Sequence, residues 1–127
     1  MEQELFIVLA RKLEDSGLYW YPEIGDEVVE RTEGASISVL VDSQGLTPGE
    51  LRTLYLWLPT VEQMLEQIEL RSGILFHAGR AAGKTCYEAM VFFETQSIAS
   101  KGETLRLALA DVLCSLIAAD FNPTAYH

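Results

Sequence analysis

Apolar side chains at Leu5, Phe6, Leu9, Ala10 and Leu13 recur at helical spacing, with Arg11, Glu14 and Asp15 on the other side. Gly17 stands where a C-terminal cap belongs, so the pattern predicts a helix over residues 2–16. Leu18-Tyr-Trp-Tyr-Pro22 and then Gly25-Asp26 form an aromatic, turn-prone stretch, an ordered loop packed by its own rings. A short strand is expected over 27–31. After a turn at Thr32-Glu33-Gly34, Ile37, Val39 and Val41 alternate with Ser38 and Leu40, the period of a half-buried strand.

Asp42 to Gly45 and Thr47-Pro48-Gly49 break the pattern, and Leu54 to Leu58 is β-prone and apolar on both faces, which predicts a central strand. Pro59 stops it. Thr60, with Gln63 three residues on, makes a capping box, and Val61, Met64, Leu65 and Ile68 share one face of a helix running to Arg71. Two β-prone runs, 74–78 and 85–93, then read as an antiparallel hairpin. Thr104 caps a last helix whose broad apolar face comprises Leu105, Ala108, Leu109, Val112, Leu113, Leu116 and Ile117. Asn122-Pro123 marks a tail. The order predicts an α+β fold: one domain over residues 1–127, an antiparallel or mixed sheet of four to five strands, and about three helices.

Composition supports a packed domain: 127 residues, 49% hydrophobic and 22% charged. The net charge of −10 disfavours phosphate backbones and anionic membranes, and the nine basic residues are scattered, so no nucleic-acid partner is expected. No apolar run approaches the roughly 20 residues that span a bilayer, and the first residues lack the pattern of a secretory signal. Cys86 and Cys114 form neither a disulfide framework nor a zinc motif, which together with the rest points to the cytoplasm. No His or Cys pair at ligand spacing and no Asp-rich calcium loop is present, so neither a metal nor a cofactor is expected.

Candidate chemistry begins with Ala78 to Thr85, which matches a loose phosphate-loop pattern. A phosphate loop needs a helix after it, whose N-terminal N–H groups hold the anion, and here strand-formers follow. A hairpin turn is the better reading. Pairing Ala78 with Thr85 would set His77 opposite Cys86, with Glu88 on the same face, a cysteine–histidine arrangement able to raise a thiolate nucleophile. Ordinary cross-strand contact is the competing reading. Asp26, Glu27, Glu62, Glu66 and Glu69 show surface or turn spacing and read as solvated, and His127 is terminal.

Tyr19, Trp20, Tyr21 and Trp57 supply the aromatic walls of a ligand pocket or, alternatively, a lid on the core. Leu107, Cys114 and Ala118 form a second, thinner stripe on the last helix, fitting either burial under another element or a homodimer face.

Tyr87 to Val91, followed by the Gly102-Glu103-Thr104 entry to the last helix and Ala108-Leu109, resembles the end of HicB-like antitoxin domains, although their Pro-Gly-Cys turn is absent. Trp57-Leu-Pro-Thr60 before a helix resembles small phage-related helix–sheet–helix sandwich proteins, which implies a fold but no function. The reading that follows is a non-enzymatic protein-interaction module, alone or as a homodimer. A small-molecule binder using the aromatic residues is the alternative, and a small cysteine-dependent enzyme the second alternative.

Overall fold

The computed structural model describes residues 2–32, 36–81, 83 and 85–121. In chain order these form α1 (Glu2–Ser16), β1 (Glu27–Glu30), β2 (Ile37–Val39), α2 (Pro48–Leu54), β3 (Tyr55–Trp57), α3 (Val61–Leu70), β4 (Ile74–Arg80), β5 (Tyr87–Phe93), β6 (Gln96–Gly102) and α4 (Leu105–Phe121). The class is α+β, but the single sheet expected is instead two three-stranded antiparallel sheets, β2-β1-β3 and β4-β5-β6, and the described residues hold four helices. The turn at Glu33-Gly34, the tail from Asn122 and His127 lie outside the described residues.

Two elements, α2 and β6, add to the expected count. Thr47-Pro48-Gly49 starts α2 where only a break in the strand pattern was expected: Thr47 Oγ1 accepts from the Glu50 N–H, the Glu50 carboxylate accepts from the Thr47 N–H, and Pro48 occupies the first turn. Strand β6 carries few large apolar residues, only Ile98 among Gln96 to Gly102, because small Ser100 is its buried contact with the core.

The molecule is organised around α4. Ala108, Leu109, Ala110, Val112, Leu113, Leu116 and Ile117 are fully buried on a helix that is apolar nearly all round. Ala89, Val91 and Phe93 of β5 cover one side of it, α1 covers another through Phe6, Ala10 and Leu13, and Met64 and Ile68 of α3 complete the enclosure. Of the two readings of the second stripe, burial is the one seen for Leu107 and Cys114, while Ala118 alone of the three is exposed, which leaves no continuous apolar stripe there for a second copy.

Sheet β2-β1-β3 separates this core from a smaller one. Val29 and Leu56 face α4's side, while Val28 and Tyr55 turn the other way to meet Trp20, Leu40 and Leu51. Strand β3 is buried on both faces, as its composition predicts, yet β1 is the central strand; burial on two faces does not require partners on two edges. Beyond β2 the alternation reverses. Leu40 inserts into the smaller core, its N–H donating to the Asp26 carbonyl, and Val39 and Val41 are exposed.

Where β6 enters α4 the backbones nearly touch. A Cβ on Gly102 would stand 2.8 Å from both the Ala108 nitrogen and Leu107 Cβ, so the Gly-Glu-Thr entry combines a cap, Thr104 Oγ1 accepting from the Leu107 N–H, with a close approach. Gly102→Ala is expected to cost roughly 1–3 kcal/mol by overpacking. Leu113→Ala is expected to cost about 2–5 kcal/mol by cavity formation, both read from urea unfolding.

Candidate functional site

The aromatic stretch is positioned by its two ends. Gly17, at φ 115°, terminates α1, with the Gly17 and Leu18 N–H groups donating to the Glu14 and Leu13 carbonyls. From there the chain is extended, so Leu18 and Trp20 point inward while Tyr19 and Tyr21 point outward, their rings edge to face at 4.8 Å. A tight turn with Gly25 at φ 101° then delivers Asp26 to the start of β1.

Asp26 is buried and its carboxylate collects three donors. Oδ2 accepts from Trp20 Nε1 at 2.8 Å and from the Glu23 N–H at 3.0 Å, and Oδ1 accepts from Gln63 Nε2 at 2.8 Å. Gln63 is also the N3 residue of the capping box that opens α3, its Oε1 accepting from the Thr60 N–H. One carboxylate thus fixes the aromatic segment to the first turn of α3. Asp26 is therefore buried where solvation was expected, and Glu27, half-buried, pairs with Arg106 at 3.4 Å.

Between these two walls lies a cleft of about 190 Å³. Tyr19, Tyr21 and Glu23 form one wall, Gln63, Glu66, Gln67 and Leu70 the other, and Trp57 of β3 lies between them with Asp26. The helix wall follows from spacing, since positions three, four and seven apart share a helix face. Trp57 also stacks on Trp20 at 6.5 Å between ring centroids, so Trp20 supports the cleft from within the core instead of lining it. Trp57 Nε1 is buried with no hydrogen-bond partner among the described residues. Arg52 places its guanidinium 4.6 Å from the Tyr19 ring centroid and donates to the Trp20 carbonyl.

The other candidates are arranged differently from expectation. Strand β4 runs on to Arg80, which pairs with Tyr87, and a bulge lies between Leu75 and His77, so His77 faces Met90 and Gly79 faces Glu88. The expected pairing of Ala78 with Thr85 does not form. Cys86 instead lies beside Ala81, whose N–H donates to its carbonyl, four residues and roughly 13 Å along the strand from His77's partner Met90. His77 and Glu88 do meet, Nε2 to Oε1 at 3.8 Å on the sheet's outer face, but without the thiol. In the phosphate-loop look-alike, Ala78 to Arg80 are strand, Gly83 adopts φ 68°, and β5 follows, so no helix N-terminus faces the turn. Ala82 and Lys84 lie outside the described residues.

Among the described residues no group of His, Cys, Asp and Glu is placed to hold a metal ion, and no helix is long and apolar enough to cross a membrane. No family model, curated protein or solved structure matches the chain.

Sequence reasoning found the rings but missed what holds them. Glu23, Gln63 and Gln67 carry no signal of their own beyond the capping box. The one legible clue to Asp26 is its place after a glycine in an aromatic stretch, where a turn aims its carboxylate back at the chain.

Asp26→Ala strands the Trp20 and Gln63 donors and is expected to cost about 1–3 kcal/mol for each buried group left unpaired, together with a shift in tryptophan emission as the cleft loosens. The two thiols should also separate. Burial pushes the Cys114 thiol up to about 11 from an ordinary 9.0, with Asp111 adding and Lys12 opposing. The folded state therefore keeps a proton that the unfolded state loses. Its contribution is complete below pH 9.0 and is lost along a falling slope as pH rises toward about 11. Unfolding of Cys114→Ala should lack that component of the slope, and alkylation of the native protein should mark Cys86 and spare Cys114.

Proposed function

We propose that the protein is a non-catalytic small-molecule-binding domain whose ligand occupies the cleft between the aromatic segment and α3. The observation that carries this reading is convergence. Three of the four aromatic side chains singled out in the sequence, Tyr19, Tyr21 and Trp57, line one cleft with polar groups from a separate element. Concave sites with aromatic walls and a few fixed polar groups are the usual form of ligand sites. The Asp26 clamp supports it further, because it fixes both walls before any ligand arrives and so lowers the ordering cost of binding.

A specific observation also favours self-association, on a surface other than the one the sequence suggested. On the outer face of β4-β5-β6, Ile74, Phe76 and Phe92 are exposed, and the Phe76 and Phe92 rings meet at 4.6 Å. Farther along the same face Glu88 lies between Gly79 of β4 and Lys101 of β6 in register and within reach of His77, so the face carries both signs of charge, as a surface that pairs with its own copy needs. A second copy is the partner this face fits.

A thermal-shift screen of small metabolites tests the first reading. A ligand at about a hundred times its Kd stabilises by about 2.7 kcal/mol, a shift of several degrees that should shrink in Tyr21→Ala, whose ring is 73% exposed and not needed for folding. A screen without hits would sink it. Light scattering after size exclusion tests the second, which a monomer indistinguishable from Phe92→Glu removes.

A further inference from the structure

The lining of the cleft specifies a charge. Its residues are two tyrosines and a tryptophan, the carboxylates of Glu23, Asp26 and Glu66, the amides of Gln63 and Gln67, and Leu70, with no Lys, Arg or His among them. Asp26 is already satisfied by three donors. Glu23 and Glu66 are exposed at the two walls, and among the described residues neither carboxylate has an ion-pair partner, whereas Glu14, Glu27 and Glu88 each do. Two guanidinium groups border the cleft, Arg71 donating to Gln67 Oε1 at 2.7 Å and Arg52 over Tyr19, but neither pairs with Glu23 or Glu66, so an entering anion still meets two carboxylates without ion-pair partners in a chain of net charge −10.

From this geometry we infer that the cleft takes an alkylammonium group, a quaternary or methylated amine, with its methyl groups against the Tyr21 and Trp57 rings and its charge opposite Glu23 and Glu66. Aromatic faces attract cations through their quadrupole, and weakly hydrated alkylammonium groups shed water most readily to meet them. The segment already shows this affinity, since Arg52 sits over Tyr19 at 4.6 Å. A metal ion is a poorer fit, because the described carboxylates do not come together as a ligand set. The volume of about 190 Å³ is below the roughly 300 Å³ at the small end of drug-sized sites, which matches a head group and leaves the remainder of the ligand outside.

This inference rests on the cleft being a ligand site, and the experiment separates the two claims. Tryptophan fluorescence and calorimetry would compare choline with its neutral isostere 3,3-dimethylbutan-1-ol at constant ionic strength, together with a peptide bearing trimethyllysine. Choline, the peptide or both should bind more tightly than the neutral alcohol, the stronger of the two identifying a free amine or a protein tail as the source. Replacing both exposed carboxylates, Glu23→Gln with Glu66→Gln, should weaken the cation about five- to thirtyfold and leave the alcohol unchanged. If the alcohol binds as well as either cation, or the double variant binds choline and the peptide undiminished, the charge assignment is overturned while the ligand site stands. If neither cation nor alcohol binds and the metabolite screen is also empty, both fall together.

Discussion

Helix α4 is the constraint on which the remaining structure depends. A helix with apolar side chains on nearly every face turns only a narrow strip to water, Ser115 and Ala118 beside half-buried Asp111, and burying the rest requires other elements around most of it. Each Leu, Ile or Val fully buried there contributes roughly 1.5–3 kcal/mol from removal of apolar surface, so leaving any one side open would be costly. The chain meets the demand from both ends: α1 precedes and β5 and β6 follow the segments that form the cleft, and all close on α4. The fit is tight because small residues sit at the contacts. Ala108 and Ala110 let neighbouring backbones approach, and Gly102 and Gly73 leave room for α4 at points where even a methyl group would press on it.

Around that apolar centre, two polar side chains tie the seams. Arg106, at the start of α4, donates to the carbonyls of Leu58 at 2.9 Å and Pro59 at 3.0 Å, meets Glu27 at 3.4 Å, and lies 4.2 Å over the Phe6 ring. It therefore joins α4, the β3–α3 connection, β1 and α1 with one planar group whose several donors point in fixed directions. Asp26 does the same on the opposite sign of charge, satisfying donors from the aromatic segment and from α3. A cleft with stiff walls is the consequence of the second tie. Its aromatic rings are held by hydrogen bonds behind them, which leaves Tyr19 and Tyr21 exposed at the front without the segment collapsing onto the core.

The β4-β5-β6 sheet shows how a short-range feature redirects chemistry. Extending β4 to Arg80 and inserting one bulge moves His77 away from Cys86 and next to Glu88. The same bulge brings Phe76 against Phe92 on the outer face, so the sheet's exposed side acquires a ring pair beside mixed charges. A cysteine–histidine pair and a candidate contact face are alternative products of one hairpin register.

Local signals determined what the sequence by itself could settle. Periodicity and caps gave α1, α3 and α4 and the existence of the hairpin, because Gly17, the Thr60–Gln63 box and Thr104 act within one helical turn of their own backbone. The two-sided burial of Tyr55 to Trp57 was legible for the same reason, as composition reports the surroundings of a residue. Pairing was not. Which strand sits beside β1, how many sheets form, where β4 and β5 come into register and whether Leu107 and Cys114 face a partner or α1 all depend on groups far apart in the chain. The cleft belongs to that second kind. Tyr19, Tyr21 and Trp57 were visible as aromatic residues, but Asp26 and Gln63, separated by 37 positions, became its clamp only when tertiary packing brought the first turn of α3 to the residue before β1, a contact between groups far apart in the chain that local patterns do not specify.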